Sequence, residues 1–96
     1  MSQAGAVNVL IPTPLRKFTD GSAKLSATGG TVAAILDSIE DQHPGLKDRI
    51  REDDGEIRRF VNVFLNGENV RDLEGPATAV KSGDEIGIIP AMAGGV

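Results

Sequence analysis

The chain has 96 residues, 40% hydrophobic and 25% charged, enough for one core and too few for two. With Phe18, Phe60 and Phe64 as its three aromatics the core must be aliphatic, and with no cysteine disulfides, thiolate metal sites and thiol nucleophiles are excluded. A net charge of −4 argues against nucleic acid and suits a basic partner, no apolar run spans a membrane, and the first residues lack the regions of a signal peptide, so a cytoplasmic location is expected.

Residues 1–5 read as a flexible leader and 6–90 as the folded domain. From Ala6 to Ile11, β-branched residues alternate with others, which predicts a strand with Val7, Val9 and Ile11 turned inward. Pro12 and Pro14 end its pairing. Asp20-Gly21 is a hairpin-turn signal, and a second strand is expected at about Ala23 to Ala27. Thr28-Gly29-Gly30-Thr31 opens a helix with Thr31 as its N-cap. Val32, Ile35, Leu36 and Ile39 form one apolar stripe, with Asp37, Glu40 and Asp41 on the other face. Pro44-Gly45 ends the helix. Residues 46–57 are highly charged and read as mostly irregular, with Leu46 and Ile50 as anchors and Asp53-Asp54-Gly55 as an exposed turn.

Ile57 to Leu65 is the longest predicted strand. Val61, Val63 and Leu65 face one way and Phe60, Asn62 and Phe64 the other. Asn66-Gly67 is a type I′ turn signal, followed by a short return strand from Glu68 to Arg71. Ala77 to Val80 fits one helical turn, and residues 85–89 form a last strand that Pro90 stops. One helix covers one face of a sheet, so the expectation is α+β: a mixed sheet of four to five strands on one main helix. The first and last strands are expected to pair in parallel at its centre.

Few residues in this body suggest chemistry. Thr28-Gly29-Gly30-Thr31 is either a phosphate-binding turn or a tight turn with a cap, and it lacks the lysine and spacing of a P-loop. His43 has no second histidine or cysteine for a metal site and no serine it plausibly serves in a triad. The mixed charges of 46–57 read as a solvated face or a docking surface. On the sheet, Phe60, Phe64, Leu10 and Ile89 point away from the presumed core. They form either a partner surface or a second small core under the 46–57 segment.

The pieces so far are a first strand running into Ile11-Pro12-Thr13-Pro14-Leu15-Arg16, the run Phe60 to Glu68, and Val80-Lys81-Ser82-Gly83-Asp84-Glu85-Ile86 leading through Ile89-Pro90 to Gly94-Gly95. Together they resemble the ubiquitin-like β-grasp sulfur carriers, the ThiS, MoaD and CysO proteins, over about residues 6–95. Arg59-Phe60-Val61-Asn62, Ala77-Thr78-Ala79-Val80 and the Ala91-Met92-Ala93 tail are most similar to the CysO type.

The resemblance implies a carrier that is not an enzyme, with residues 91–96 as a flexible tail. The carboxylate of Gly95 would be adenylated and converted to a thiocarboxylate, with Gly94 giving a slim approach and Val96 removed beforehand. The chain itself would bind no cofactor and no metal. ATP, pyridoxal phosphate and zinc would belong to partners: an E1-like adenylating enzyme, a cysteine synthase of the O-phosphoserine type or another sulfur acceptor, and a zinc metallopeptidase for trimming or release. Phe60, Phe64, Ile89, Pro90 and Met92 are the expected docking residues. Sulfur transfer to molybdopterin or thiazole synthesis, a ubiquitin-like modifier and a binding module with an inert tail stand as alternatives.

Overall fold

Strand β1 (Ala6–Leu10) lies near the middle of a five-stranded sheet, in a computed structural model that describes residues 6–90. Its alternation is realised, with Val7 and Val9 buried and Asn8 and Leu10 exposed. β2 (Lys24–Thr28) pairs antiparallel with β1, Leu10 opposite Lys24. β5 (Glu85–Pro90) runs parallel to β1 on its other side and antiparallel to β3 (Val61–Leu65), which β4 (Glu68–Asn69) borders. The order is β2-β1-β5-β3-β4, with the first and last strands in parallel contact at the centre, as the sequence predicts.

Helix α1 (Val32–Gln42) covers one face of this sheet. Its stripe of Val32, Ile35, Leu36 and Ile39 is completely buried, each side chain contributing about 1.5–3 kcal/mol against exposure. Thr31 caps it, its Oγ1 accepting the Ala34 N–H at 3.2 Å. The helix stops at His43, which precedes Pro44 and sits outside the α region at φ −139° and ψ 84°.

Several local expectations are corrected. The 46–57 segment is not mostly irregular: Pro44–Leu46 makes a 3₁₀ turn that continues into a short helix, α2 (Lys47–Ile50), because Leu46 and Ile50 are both drawn fully into the core. β3 begins at Val61, not Ile57. Ile57 bridges instead to Arg51 around the turn at Gly55, where φ is +90°. The helical turn expected at Ala77 to Val80 lies at Gly75–Ala77, which frees Ala79 to bridge to Thr31. The return strand is confined to Glu68–Asn69 because a 3₁₀ turn takes Val70–Asp72. The Asp20-Gly21 turn forms, with φ of +55° and +86°, but it follows a 3₁₀ segment at Thr13–Phe18 instead of joining two strands directly. Pro90 is not outside the last strand but is its final residue, opposite Val61, a position tolerated because β1 pairs with β5 only as far as Gly87.

Glu40 departs furthest from expectation. It belongs to the polar face of α1 by periodicity, yet it is buried at 7% exposure. Arg51 explains this, its Nε and Nη2 donating to the Glu40 carboxylate at 2.9 and 2.6 Å and Nη2 also to Asp37. The Glu40 hydrogen bond is the largest cause holding the Arg51 pKa above its ordinary value.

Candidate functional site

Residues of the sheet that do not face α1 project from its open side. Cross-strand partners share a face, so register assigns the surface directly. One row runs Lys24, Leu10, Gly87, Phe64, Asn69 across all five strands. A second places Ile89 opposite Asn62, with Phe60 just before β3. A Cβ added at Gly87 would meet nothing within 4 Å, so the glycine leaves a shallow depression between Leu10 and Phe64.

Phe60 is 55% exposed, Ile89 53% and Leu10 37%. Phe64 is half-buried and packs lower between Gly87 and Asn69, while Pro90 is half-buried at the strand end. The 46–57 segment sits on the opposite side, where Leu46 and Ile50 join the main core. A second small core beneath it is therefore ruled out, and Phe60, Ile89 and Leu10 stay exposed. Of the remaining expected site residues, Met92, Gly94, Gly95 and Val96 lie outside the described residues.

Two polar clusters missed in the sequence hold this surface in shape. The Asn62 Oδ1 accepts from Arg71 Nη1 at 2.9 Å, and Arg71 Nη2 donates to the Arg58 carbonyl at 2.7 Å. Arg71 thereby ties the connection after β4 to the start of β3. At the other end, the Asp84 carboxylate accepts from Asn66 Nδ2 at 3.0 Å and from the Lys81 N–H at 2.9 Å. Asn66 Oδ1 in turn accepts the Glu85 N–H at 2.9 Å. The Asn66 amide, then the Lys81 N–H, hold the Asp84 pKa below its ordinary value. The signal for this lock was present: a turn asparagine whose side chain has two further hydrogen-bonding ends.

The other candidates resolve into structure. In Thr28-Gly29-Gly30-Thr31, a Cβ on Gly29 would lie 2.7 Å from the Ala34 Cβ, so that glycine permits close packing against α1. The amides at the helix start are engaged within the protein, Val32 N–H with the Thr78 carbonyl and Ala34 N–H with Thr31 Oγ1. His43 caps the helix C-terminus, its N–H donating to the Ile39 carbonyl. Among the described residues no group of three or more histidine, cysteine or acidic side chains is placed to hold a metal, and no helix is long and apolar enough to cross a membrane.

Known proteins share this arrangement. The ThiS family profile matches residues 9–95. The sulfur carrier protein CysO of Mycobacterium tuberculosis is 42% identical over 91 residues, covering 93% of this chain and 98% of that protein. A chain in the crystal structure of the Amycolatopsis orientalis BexX/CysO complex superposes with a TM-score of 0.87 at 42% identity, covering 91% of this chain and 97% of that one. The solution structure of small archaeal modifier protein 1 from Methanosarcina acetivorans superposes at 0.84 with 34% identity, over 96% and 98% of the two chains. With its β-grasp fold and this similarity along almost its whole length, the chain belongs to the ThiS family of ubiquitin-like sulfur carriers.

Proposed function

We propose that this protein carries sulfur as a thiocarboxylate on Gly95, exposed after removal of Val96, and delivers it to cysteine biosynthesis. The observation that carries the reading is the 42% identity with CysO along nearly the full length of both proteins. In the first step the Gly95 carboxylate attacks the α-phosphate of ATP and pyrophosphate leaves. Sulfur donated at the sulfide level then attacks the acyl carbon and AMP leaves, giving the thiocarboxylate. An E1-like enzyme supplies the ATP site. A cysteine synthase using O-phosphoserine and pyridoxal phosphate accepts the sulfur, and a zinc peptidase trims the chain or releases the product. The BexX/CysO complex of a similar carrier supports a protein partner here too.

The fold suits the task. β5 is held between β1 and β3, so whatever follows Pro90 starts from a rigid point at the edge of the Phe60–Ile89 surface. Five residues from Ala91 to Gly95 reach at most about 17 Å when extended. Docking on the open face therefore sets how deep the terminal glycine penetrates a partner.

The test is intact-mass analysis of chains ending at Gly95 and at Val96, each incubated with the purified adenylating enzyme, ATP and sulfide. A sulfur-for-oxygen gain on the Gly95-ended chain alone is expected. No gain on it overturns the carrier reading, and an equal gain on a chain still carrying Val96 overturns the trimming step. Similarity to an archaeal modifier protein favours a second reading, conjugation through Gly95 to lysines of other proteins. Ladders of higher-mass conjugates in place of the thiocarboxylate would decide for it.

A further inference from the structure

The net charge of −4 is not spread evenly. Between Val32 and Ile57 eight carboxylates stand against Lys47, Arg49 and Arg51, a net of −5, so the rest of the chain is +1. The fold assigns these two parts to different sides. The acidic stretch is α1, α2 and the turn after them, covering one side of the sheet. The open side carries Lys24 beside Leu10 and Arg71 bound to Asn62 opposite Ile89, and in the turn that leads into β3 Arg59 holds its guanidinium 5.8 Å from the Phe60 ring centroid. All three cations are exposed, and among the described residues none pairs with a carboxylate. Within the strands, register places Glu85 on the open face next to Asn8, at the opposite end of β5 from Ile89. The apolar patch where β5 ends is thus rimmed by positive charge on a negatively charged protein.

We propose that the enzyme docking on this face presents an apolar cleft flanked by carboxylates, which meet Arg59 and Arg71, with Lys24 as an outlying contact. This rests on the carrier reading and reverses the inference from total charge, which points to a basic partner. An acidic docking site repels the helix layer and attracts the open face, so the charge asymmetry orients the carrier before contact and aims its C-terminal end at the partner. Phe60 and Ile89 then supply the desolvated centre of the interface.

The experiment measures association rate and KM in ATP–pyrophosphate exchange, using the adenylating enzyme and carrier ending at Gly95. The variant Arg59→Glu/Lys24→Glu is compared with Lys47→Glu/Arg49→Glu, which has the same net charge but places its new acids on α2. The open-face variant is expected to slow association and raise KM about tenfold or more, and the α2 variant to stay within about twofold. The wild-type rate should fall as salt is raised. Equal effects of the two double variants, or a wild-type rate that rises with salt, overturn the proposal. So does self-association of the carrier that Arg59→Glu/Lys24→Glu abolishes, since the face would then serve a second copy. Exchange that is absent for wild type at every salt concentration rejects the carrier reading itself, whereas normal exchange indifferent to Arg59 and Lys24 rejects the docking proposal alone.

Discussion

Truncating Phe60 to alanine separates docking from folding more cleanly than any other change on the open face. The ring is 55% exposed, so folding has used less than half of its burial energy. A phenylalanine offers roughly 200 Å², which leaves about 100 Å² for a partner to cover. At about 25 cal/mol per Å² this amounts to at most ~2.5 kcal/mol, and imperfect conversion of area to affinity brings the expectation to about 2 kcal/mol. The partner should therefore bind about thirtyfold more weakly. The fold loses less, on the order of 1 kcal/mol, from partial contacts and the exposed Arg59–ring interaction. Titration calorimetry against the adenylating enzyme reads the first quantity and urea unfolding the second. Unchanged affinity in a normally folded Phe60→Ala variant would refute the docking geometry. So would a stability loss above about 3 kcal/mol, the range for a core phenylalanine.

Three further changes test the scaffold. Gly29→Ala should destabilise by about 1–3 kcal/mol because its Cβ would collide with Ala34, while Gly30→Ala, with open space around it, should not; thermal melts of the pair decide this. Arg51→Met should cost about 3 kcal/mol in urea unfolding by stranding the buried Glu40, and Arg51→Met/Glu40→Leu should recover most of it, the double-mutant cycle showing whether the pair acts as a unit. Asp84 has a folded pKa depressed below its ordinary 3.8, so its stabilisation is complete above that value and disappears as pH falls through the folded pKa. The stability gap between wild type and Asp84→Asn should accordingly be constant near neutrality and close below about pH 4; a gap that persists at pH 2 would mean the carboxylate charge is not what stabilises the turn.

Much of this architecture is legible one segment at a time, because the controlling forces act within a few residues. Asn66-Gly67 adopts positive φ at both positions, +51° and +89°, as a two-residue turn between right-twisted strands requires. Thr31 caps α1, Pro44 stops it, and the helical stripe and the alternation of β1 pick out the core, all without knowledge of the partner element. Membership of the sulfur-carrier family is likewise legible, because the run from Val80 through Pro90 to Gly94-Gly95 is continuous in the sequence itself.

What sequence could not reach depends on contacts between distant segments. Alternation puts Phe60 and Phe64 on the same face, yet Phe64 has neighbours in β5 and β4 and is half-buried, while Phe60 precedes the paired strand and stays exposed. Helical periodicity assigns Glu40 to solvent, and only the return of the chain through α2 brings Arg51 over it. Net charge is a property of composition, but which side of the protein is negative is decided by folding. The fold stacks the acidic stretch from Val32 to Ile57 on one side of the sheet and leaves Lys24 and Arg71 on the other, so two surfaces of opposite character share one small negatively charged chain.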